Sequence, residues 1–454
     1  MSSSAAAAAP TFRWVDRFGG RGRDTPRAVA VTADGWVYSV GQLAHDRRDD
    51  ERSWTGEAAR ERMFLARHAP DGRRDWLLRF GGSPVDEPRA LAVAPGGTVV
   101  VGGLFTGELA FGTTAAIHPL RSIGSADAFL VGVDAEGAPR WALSWGGKYA
   151  DAVRAVAVDA AGNLYVAGTF QLTADFDAGD GRTLMTSAGR TDGFVLKLDS
   201  ARRLLWARRF GESGADDVTG IAVATDGTIY VGGGFEGTTS QDDRREAPAL
   251  AGSLAVTALA PDGTPRWERR LDADAGASLA GLATGASGGV YVGGVFQGQL
   301  RFAGREALAN PASWDVFVAR LDASGSLVWA RDVGAGTERS LSAGGLAATA
   351  AGPLLGGSFQ DRVDLGPGPA ARALDSESRA PFLLAFDEAG ALTWADAPTT
   401  SGLAQILAVA AEAGGRAAVL GVGEPRRDGE DEDEDEDEGS RELVVIGLTL
   451  PPAT

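Results

Sequence analysis

The sequence predicts an all-β protein built from seven copies of one four-stranded antiparallel unit. Three observations support this prediction: a β-hairpin that recurs along the chain, a tryptophan with near-constant spacing, and the point within the unit at which the chain begins and ends. The glycine content agrees, because 64 of the 454 residues are glycine, about twice the average usage of roughly 7%. These glycines cluster at predicted turns and strand ends, as in proteins made of many short strands.

The recurring hairpin is clearest at residues 155–170, which read AVAVDAAGNLYVAGTF. Similar stretches are AVAVTADGWVYSVG from Ala28, ALAVAPGGTVVVGGLF from Ala90 and GIAVATDGTIYVGGGF from Gly220. Valine, tyrosine, phenylalanine and leucine dominate the predicted strands, as a half-buried pleated surface requires. The turns contain Asp and Gly, which tolerate the positive φ of a tight turn. Each copy therefore predicts two short strands joined by a tight turn.

A tryptophan marks the period of the repeat. These ruler tryptophans are 61 to 65 residues apart, and they are Trp14, Trp76, Trp141, Trp206, Trp267, Trp329 and Trp394. Each unit contains the hairpin strands A and B, a loop of about twenty residues, and strands C and D, with the tryptophan in strand D. In the unit that starts at Ala152 the strands are VRAVAVD, NLYVAGTF, GFVLKLD and LLWARRF. We expect the tryptophans to fill the wedge between units rather than to form a ligand platform.

The two ends of the chain predict a closed ring. FRWVDRF (12–18) is a D strand with nothing before it, and ELVVIGLTL (442–450) is a C strand with no D strand after it. An open array would leave an unpaired strand edge at both ends, which is an aggregation hazard. In a ring, the N-terminal strand completes the last unit. The sequence therefore predicts one seven-bladed β-propeller over residues 12–450, closed by the N-terminal strand, with tails at 1–11 and 451–454.

The repeat resembles the bacterial seven-bladed β-propeller repeat family, abbreviated SBBP. The resemblance is carried by the line W-x3-[FL]-G-G-x3-D-x2-R-A-V-A-V-D-x2-G-N-L-Y-V-A-G-T-F and by D-A-F-L-V-x-x-D-A-x-G after it. It covers roughly residues 12–450 and is degenerate in units 6 and 7. It implies a propeller with no generally assigned activity. The turn between strands C and D also resembles that of pyrroloquinoline-quinone propeller repeats, but no matching ligand set accompanies it, so we expect no cofactor.

One face of the predicted ring carries the long loops. Because the strands alternate in direction, the B–C loops and the D–A loops share a face, and long loops on a rigid scaffold are where binding usually resides. The predicted B–C loops are 42–61, 106–126, 171–191, 236–252, 297–313, 360–380 and 422–440.

A candidate site lies where the D–A loops enter strand A. Ten residues after the ruler tryptophan, units 1–4 have Asp24, Asp86, Asp151 and Asp216, and three residues later units 1–3 have Arg27, Arg89 and Arg154. These residues are predicted to surround the mouth of the central channel. In the first interpretation each aspartate accepts backbone N–H bonds in its loop and pairs with an arginine. In the second, the ring of carboxylates binds a ligand or a cation.

The charge of the chain is concentrated in one segment. The net charge is −18, which disfavours nonspecific binding to nucleic acid or to anionic membranes, and DGEDEDEDEDEG (428–439) contributes ten carboxylates. Such a run repels itself, so a disordered loop is predicted. The alternative is a tether for a basic partner, and the candidate residues for it are Asp431, Glu432, Asp433, Glu434, Asp435 and Glu436.

Catalytic and metal-binding patterns are not evident in the sequence. There is no cysteine, and the three histidines, His45, His68 and His118, share no repeat position, so no metal site is expected. No G-x-S-x-G elbow suggests a nucleophile, although a glycosidase pair of carboxylates stays open. The start MSSSAAAAAP lacks a basic segment and a long apolar core, and no stretch approaches about 20 apolar residues. A cytoplasmic protein is therefore predicted.

These observations predict a non-enzymatic protein-interaction or scaffold module, either a monomer or a subunit of a larger assembly. Its partner protein would bind the face that carries the B–C and D–A loops, and the acidic run would attract a basic partner by raising the association rate. The alternative is a propeller that binds a small ligand or a glycan, or hydrolyses it, at the channel mouth.

Overall fold

The computed structural model confirms the all-β prediction. It describes residues 10–19, 23–44, 62–83, 85–111, 118–179, 181–235, 253–285, 288–302, 305–334, 341–364, 373–398, 401–423 and 441–450. Over these residues the chain forms antiparallel sheets and no α-helix, so no helix there could span a membrane. The arrangement is consistent with a β-propeller.

The first strand, β1 (Thr11–Phe18), starts one residue before the predicted D strand. The chain then forms the sheet of unit 1, which consists of β2 (Thr25–Val31), β3 (Val37–Gln42), β4 (Met63–His68) and β5 (Arg74–Phe80). Unit 2 follows with β6 (Glu87–Val93), β7 (Val99–Phe105), the short hairpin β8 (Glu108–Leu109) and β9 (Leu120–Arg121), β10 (Asp127–Val133) and β11 (Pro139–Gly147). The strands of each unit are hydrogen-bonded in chain order.

Units 3 and 4 repeat the pattern. Unit 3 consists of β12 (Ala152–Val158), β13 (Leu164–Phe170), the short hairpin β14 (Thr173–Asp175) and β15 (Leu184–Thr186), β16 (Asp192–Leu198) and β17 (Leu204–Phe210). Unit 4 consists of β18 (Gly220–Val223), β19 (Ile229–Phe235), β20 (Ser253–Leu259) and β21 (Pro265–Ala273). The hairpin of unit 3 also pairs with unit 2, because Ala174 lies opposite Gly147.

The later units keep the strand order despite their degenerate sequences. Unit 5 consists of β22 (Ala277–Thr284), β23 (Val290–Phe302), β24 (Arg305–Leu321) and β25 (Leu327–Val333). Unit 6 consists of β26 (Ser342–Ala348), β27 (Pro353–Phe359), the short pair β28 (Val363–Asp364) and β29 (Ala373–Leu374), β30 (Ala380–Phe386) and β31 (Leu392–Asp396). The last sheet consists of β32 (Leu403–Ala411), β33 (Arg416–Gly423), β34 (Glu442–Thr449) and the N-terminal β1, in the order β32, β33, β34, β1.

A glycine on the second strand of each sheet allows the first strand to approach closely. A Cβ atom at this position would lie under 3 Å from a carbonyl oxygen of the first strand or, in unit 4, of Asp217, three residues before that strand, so another residue would force the two segments apart. The seven glycines are Gly41, Gly103, Gly168, Gly233, Gly294, Gly357 and Gly421. This contact recurs once per unit, in degenerate units 6 and 7 as well.

The ruler tryptophans join neighbouring units, as a wedge position requires. The indole N–H of Trp267 donates to the carbonyl oxygen of Ala323, in the C–D turn of the next unit, at 2.8 Å. Equivalent bonds run from Trp76 to Ala135 and from Trp329 to Glu388, both at 2.9 Å. The indole ring therefore supplies both apolar packing and a directional bond between units.

Candidate functional site

The four aspartates of the candidate site are buried supports of the loops. Asp86 is fully buried. Its Oδ2 atom accepts the N–H bonds of Gly82 and Ser83, both at 2.8 Å, and its Oδ1 atom accepts that of Thr106 at 2.9 Å. One carboxylate thus ties the loop before the first strand of unit 2 to the loop after its second strand.

The same bond pattern recurs in the neighbouring units. Asp151 accepts the N–H of Gly147 at 2.8 Å and that of Gln171 at 3.2 Å. Asp24 accepts the N–H of Ala44 at 2.7 Å, and Asp216 accepts that of Glu212 at 2.6 Å. These contacts match one half of the first interpretation, in which each aspartate accepts backbone N–H bonds in its loop; the other half, a pair between each aspartate and an arginine of the candidate site, is not formed among the described residues.

Burial perturbs these carboxyl groups. It raises the pKa of Asp86 and raises that of Asp151 to about 7, although the backbone hydrogen bonds act in the opposite direction. The charged form is disfavoured because the surrounding protein replaces water around the carboxylate. Asp151 therefore changes its charge near neutral pH.

The arginines of the candidate site do not form ion pairs with these aspartates. Arg89 donates from Nε and Nη2 to Oε2 of Glu87, at 3.0 and 2.6 Å, and Arg27 of the preceding unit pairs with Oε1 of the same carboxylate. Glu87 thus links units 1 and 2. Among the described residues, Arg154 of unit 3 has neither a hydrogen bond nor an ion pair, and its Nε atom is buried.

A cavity of about 330 Å³ lies beside Arg154. Its polar lining includes Arg89, Arg154, Asp151, Asp216, Asp217, Gln171 and three threonines, Thr169, Thr191 and Thr219. Its apolar lining includes Leu104, Phe235, Leu254 and Leu279. Charged and apolar side chains therefore line the same cavity. Its volume is at the low end of the range of small-molecule sites, which is about 300–1,000 Å³.

An apolar patch adjoins this cavity on the loops of units 2 and 3. We use this name for Ile123, Tyr149, Leu172 and Leu184, whose exposed fractions are 75%, 40%, 49% and 50%. Two residues that line the cavity are their direct neighbours in the chain: Ala150 follows Tyr149, and Gln171 precedes Leu172. The loops are tied together by backbone bonds, such as the N–H of Asp151 to the carbonyl of Ala126 at 2.9 Å.

Leu172 holds an unfavourable backbone conformation in this patch. Its φ is +53°, in the left-handed region, which costs a residue other than glycine roughly 1–2 kcal/mol. Equivalent loop positions are occupied by Gly107, Gly298 and Asp361, with φ of +67°, +81° and +67°, and glycine and aspartate tolerate this region. Unit 3 thus presents an exposed leucine where other units have residues suited to the turn.

A second set of buried carboxylates was not singled out from the sequence. Asp127 and Asp192 begin the third strands of units 2 and 3, Asp315 lies within the third strand of unit 5, and all three are buried. Asp192 accepts a 2.6 Å bond from Nη1 of Arg209, and Asp127 accepts the N–H of Ile123 at 2.9 Å. Burial raises the pKa of Asp127 and raises that of Asp315 to about 7. The signal was present, because each lies 14 residues before a ruler tryptophan.

The histidines and the acidic run that the sequence analysis considered do not belong to the candidate site as the structure describes it. His68 is buried in strand β4 and contacts Asp16 of β1 at 2.8 Å, and it does not line the cavity. The acidic run, with Asp431 to Glu436, and His45 lie outside the described residues. Within the described part of the chain, no group of three or more His, Cys, Asp or Glu side chains is arranged to hold a metal ion.

No family model matches the chain, and no curated protein matches it in sequence. Among solved structures it is similar to puromycin hydrolase, with 16% identity and a TM-score of 0.41 over 88% of this chain and 50% of that chain. It is also similar to Sqt1 from Chaetomium thermophilum, with 12% identity and a TM-score of 0.43 over 98% and 100% of the two chains. A third is the PQQ-bound aldose sugar dehydrogenase of Streptomyces coelicolor, with 13% identity and a TM-score of 0.34 over 97% and 100%. Similarities at this level say nothing about activity.

Proposed function

We propose that the chain is a closed seven-bladed β-propeller that acts as a non-enzymatic protein-interaction module. Its partner binds the face made of the B–C and D–A loops, centred on the apolar patch of units 2 and 3. The observation that carries the proposal is the exposure of Ile123 and Leu172 on loops that buried carboxylates hold in place.

Three features support ring closure. Strand β1 pairs along its length with β34, with Thr11 opposite Thr449 and Phe18 opposite Leu443. The first strand of each unit contacts that of the next, and β32 of the last unit contacts β2 of the first. Phe18 packs in one core cluster with Val29 of unit 1. A β-propeller of seven blades accounts for all three.

The distribution of exposed apolar side chains supports the choice of face. Ten large apolar residues are exposed among those described. Five lie on fourth strands at the outer rim, namely Phe12, Val15, Leu205, Leu327 and Val328, and five lie on loops of one face, namely Val85, Ile123, Tyr149, Leu172 and Leu184. The loop residues come from units 2 and 3 and from the loop that precedes unit 2, and exposed apolar side chains grouped on one face mark interaction sites.

The state of the carboxylates supports a non-enzymatic role. Asp86 and Asp151 are buried, and both oxygens of each carboxylate accept backbone N–H bonds. A general acid or base must instead reach a substrate proton within hydrogen-bond distance. Their geometry suits the maintenance of loop shape.

The test is affinity capture with the full chain as bait. A loop variant, Ile123→Ser with Leu172→Gly, is compared with a rim variant, Leu205→Ser with Val328→Ser, which removes exposed apolar side chains elsewhere. The proposal expects one protein to be retained stoichiometrically by the wild type and the rim variant, and to be lost from the loop variant. Retention by the loop variant at wild-type level would overturn it, as would loss from both variants.

A further inference from the structure

Three arginines share one repeat position, and among the described residues Arg154 is the one without a hydrogen-bond or ion-pair partner. Arg27 and Arg89 hold the same position in units 1 and 2, and both pair with Glu87. Arg154 has no hydrogen bond and no ion pair within the described part of the chain, although it lies beside a cavity and its Nε atom is buried. Arg154 is half-buried and a guanidinium carries five N–H donors, so the described residues leave its donors to solvent or to a ligand in the cavity.

The nearby carboxylates are engaged with backbone. Asp217 attracts Arg154 electrostatically but forms no ion pair with it, and its Oδ1 atom accepts the N–H of Gly234 at 2.7 Å. Both oxygens of Asp151 accept backbone N–H bonds. Among the described residues, the guanidinium of Arg154 therefore faces this cavity without a hydrogen bond or an ion pair, and it is matched chemically by a carboxylate, which can accept two parallel bonds from arginine.

The rest of the lining decides which carboxylate fits. Leu104, Phe235, Leu254 and Leu279 line the same cavity as the polar groups. We propose that this cavity binds a small carboxylic acid with a branched or aromatic apolar tail, the carboxylate accepting bonds from Arg154 and the tail packing on the four apolar side chains. The proposal goes beyond partner binding, since the cavity is beside the apolar patch and not part of it.

The first test compares ligands that share an apolar tail and differ in the charge and hydrogen bonding of the head group. Calorimetry on the full chain uses 4-methylpentanoate and phenylacetate, the two corresponding amides, and 4-methylpentylamine. We expect at least one acid to bind about tenfold or more tightly than its amide, because a hydrogen bond to a charged group is worth more than a neutral one. Equal affinity of acid and amide, tighter binding of the amine, or no binding of either acid at about 10 mM would overturn the proposal.

The second test compares two arginines of the same repeat position. Arg154→Gln is expected to weaken binding of the better acid about tenfold or more, and Arg154→Lys to weaken it less. Arg27→Gln is the matched control, since Arg27 is paired with Glu87 and does not line the cavity. Wild-type affinity in Arg154→Gln, or equal loss in Arg27→Gln, would contradict the assignment. The thermal melt of each variant establishes that it is folded.

Discussion

The Nε2 atom of His68 lies 2.8 Å from Oδ2 of Asp16, and this bond joins the N-terminal strand to the first complete unit. His68 is fully buried in β4, and its Nδ1 atom has no partner among the described residues. Because a carboxylate can only accept, Nε2 carries the proton. Trp14, two residues before Asp16, stacks on the imidazole with ring centroids 5.5 Å apart.

Removing either member of this pair is expected to destabilise the fold. Asp16→Ala leaves a buried imidazole N–H without its acceptor, which costs about 1–3 kcal/mol of unfolding free energy. A double-mutant cycle with His68→Phe, measured by urea unfolding, should give a coupling of about 0.5–3 kcal/mol. Asp71→Ala, in an exposed turn, is the control and should change little. Additive effects of the two substitutions would mean that the contact contributes nothing.

The backbone architecture could be predicted from the sequence because it repeats. The spacing of the ruler tryptophans and the truncated units at both ends predict four-stranded sheets and the pairing of 12–18 with 442–450, and β1 does pair with β34. The close-approach glycine, at Gly41, Gly103 and five further positions, is an additional repeating signal of the same architecture.

The candidate site was less predictable because its distinguishing residues break the repeat. Aligning Asp86 with Arg89 suggests an ion pair between them, but Arg89 reaches Glu87, two residues away in the same strand. Side chains at alternate positions of a strand share a face, whereas Asp86 lies in the loop and turns toward backbone. Aligning the units places the apolar Leu172 at the position that Gly107 occupies in unit 2. The positive φ of Leu172, however, cannot be predicted from the sequence.

Leu172→Gly should separate stability from binding. Glycine adopts a φ of +53° without strain. The unfolding free energy should therefore stay unchanged or rise by up to about 1 kcal/mol. The same substitution removes an exposed apolar side chain from the patch and should weaken partner binding. Thermal melts and capture measure the two effects. Lower stability would mean that the leucine contributes packing in the isolated chain.

Asp151→Asn should change how stability depends on pH. The folded-state pKa of about 7 lies above the ordinary value of 3.8, so the folded chain retains a proton that the unfolded chain loses. The stability that this proton provides is therefore present at about pH 4 and is lost as pH rises through 7, by at most about 1.4 kcal/mol per pH unit. The wild type should lose stability relative to Asp151→Asn over this range, whereas Asp71→Asn should track the wild type. Parallel curves for all three proteins would contradict the raised pKa.

Deleting the acidic run should slow association with a basic partner. Replacing residues 428–438 by a Gly/Ser linker of equal length removes ten carboxylates, and electrostatic steering changes association rates by about tenfold or more. The difference from the wild type should be large at about 10 mM salt and small at 1 M, where the Debye length is about 3 Å. Surface plasmon resonance with the captured partner measures the rates. Equal rates at low salt would exclude steering by this run.

The central claim, that the N-terminal strand completes the last unit and closes the ring, can be tested with one engineered disulfide. The chain has no cysteine, so Thr11→Cys with Thr449→Cys introduces a single possible pair, at residues that lie opposite each other in β1 and β34. Opposed residues of antiparallel strands have Cα atoms about 4.5–5.5 Å apart, within the range of a disulfide. The control, Thr11→Cys with Glu442→Cys, uses the far end of β34, roughly 23 Å away at about 3.3 Å per residue. Closure predicts that mild oxidation cross-links the first variant almost completely, read as a shift on non-reducing gels, and leaves the control reduced. Failure of the first variant to cross-link, or equal cross-linking of both, would contradict it.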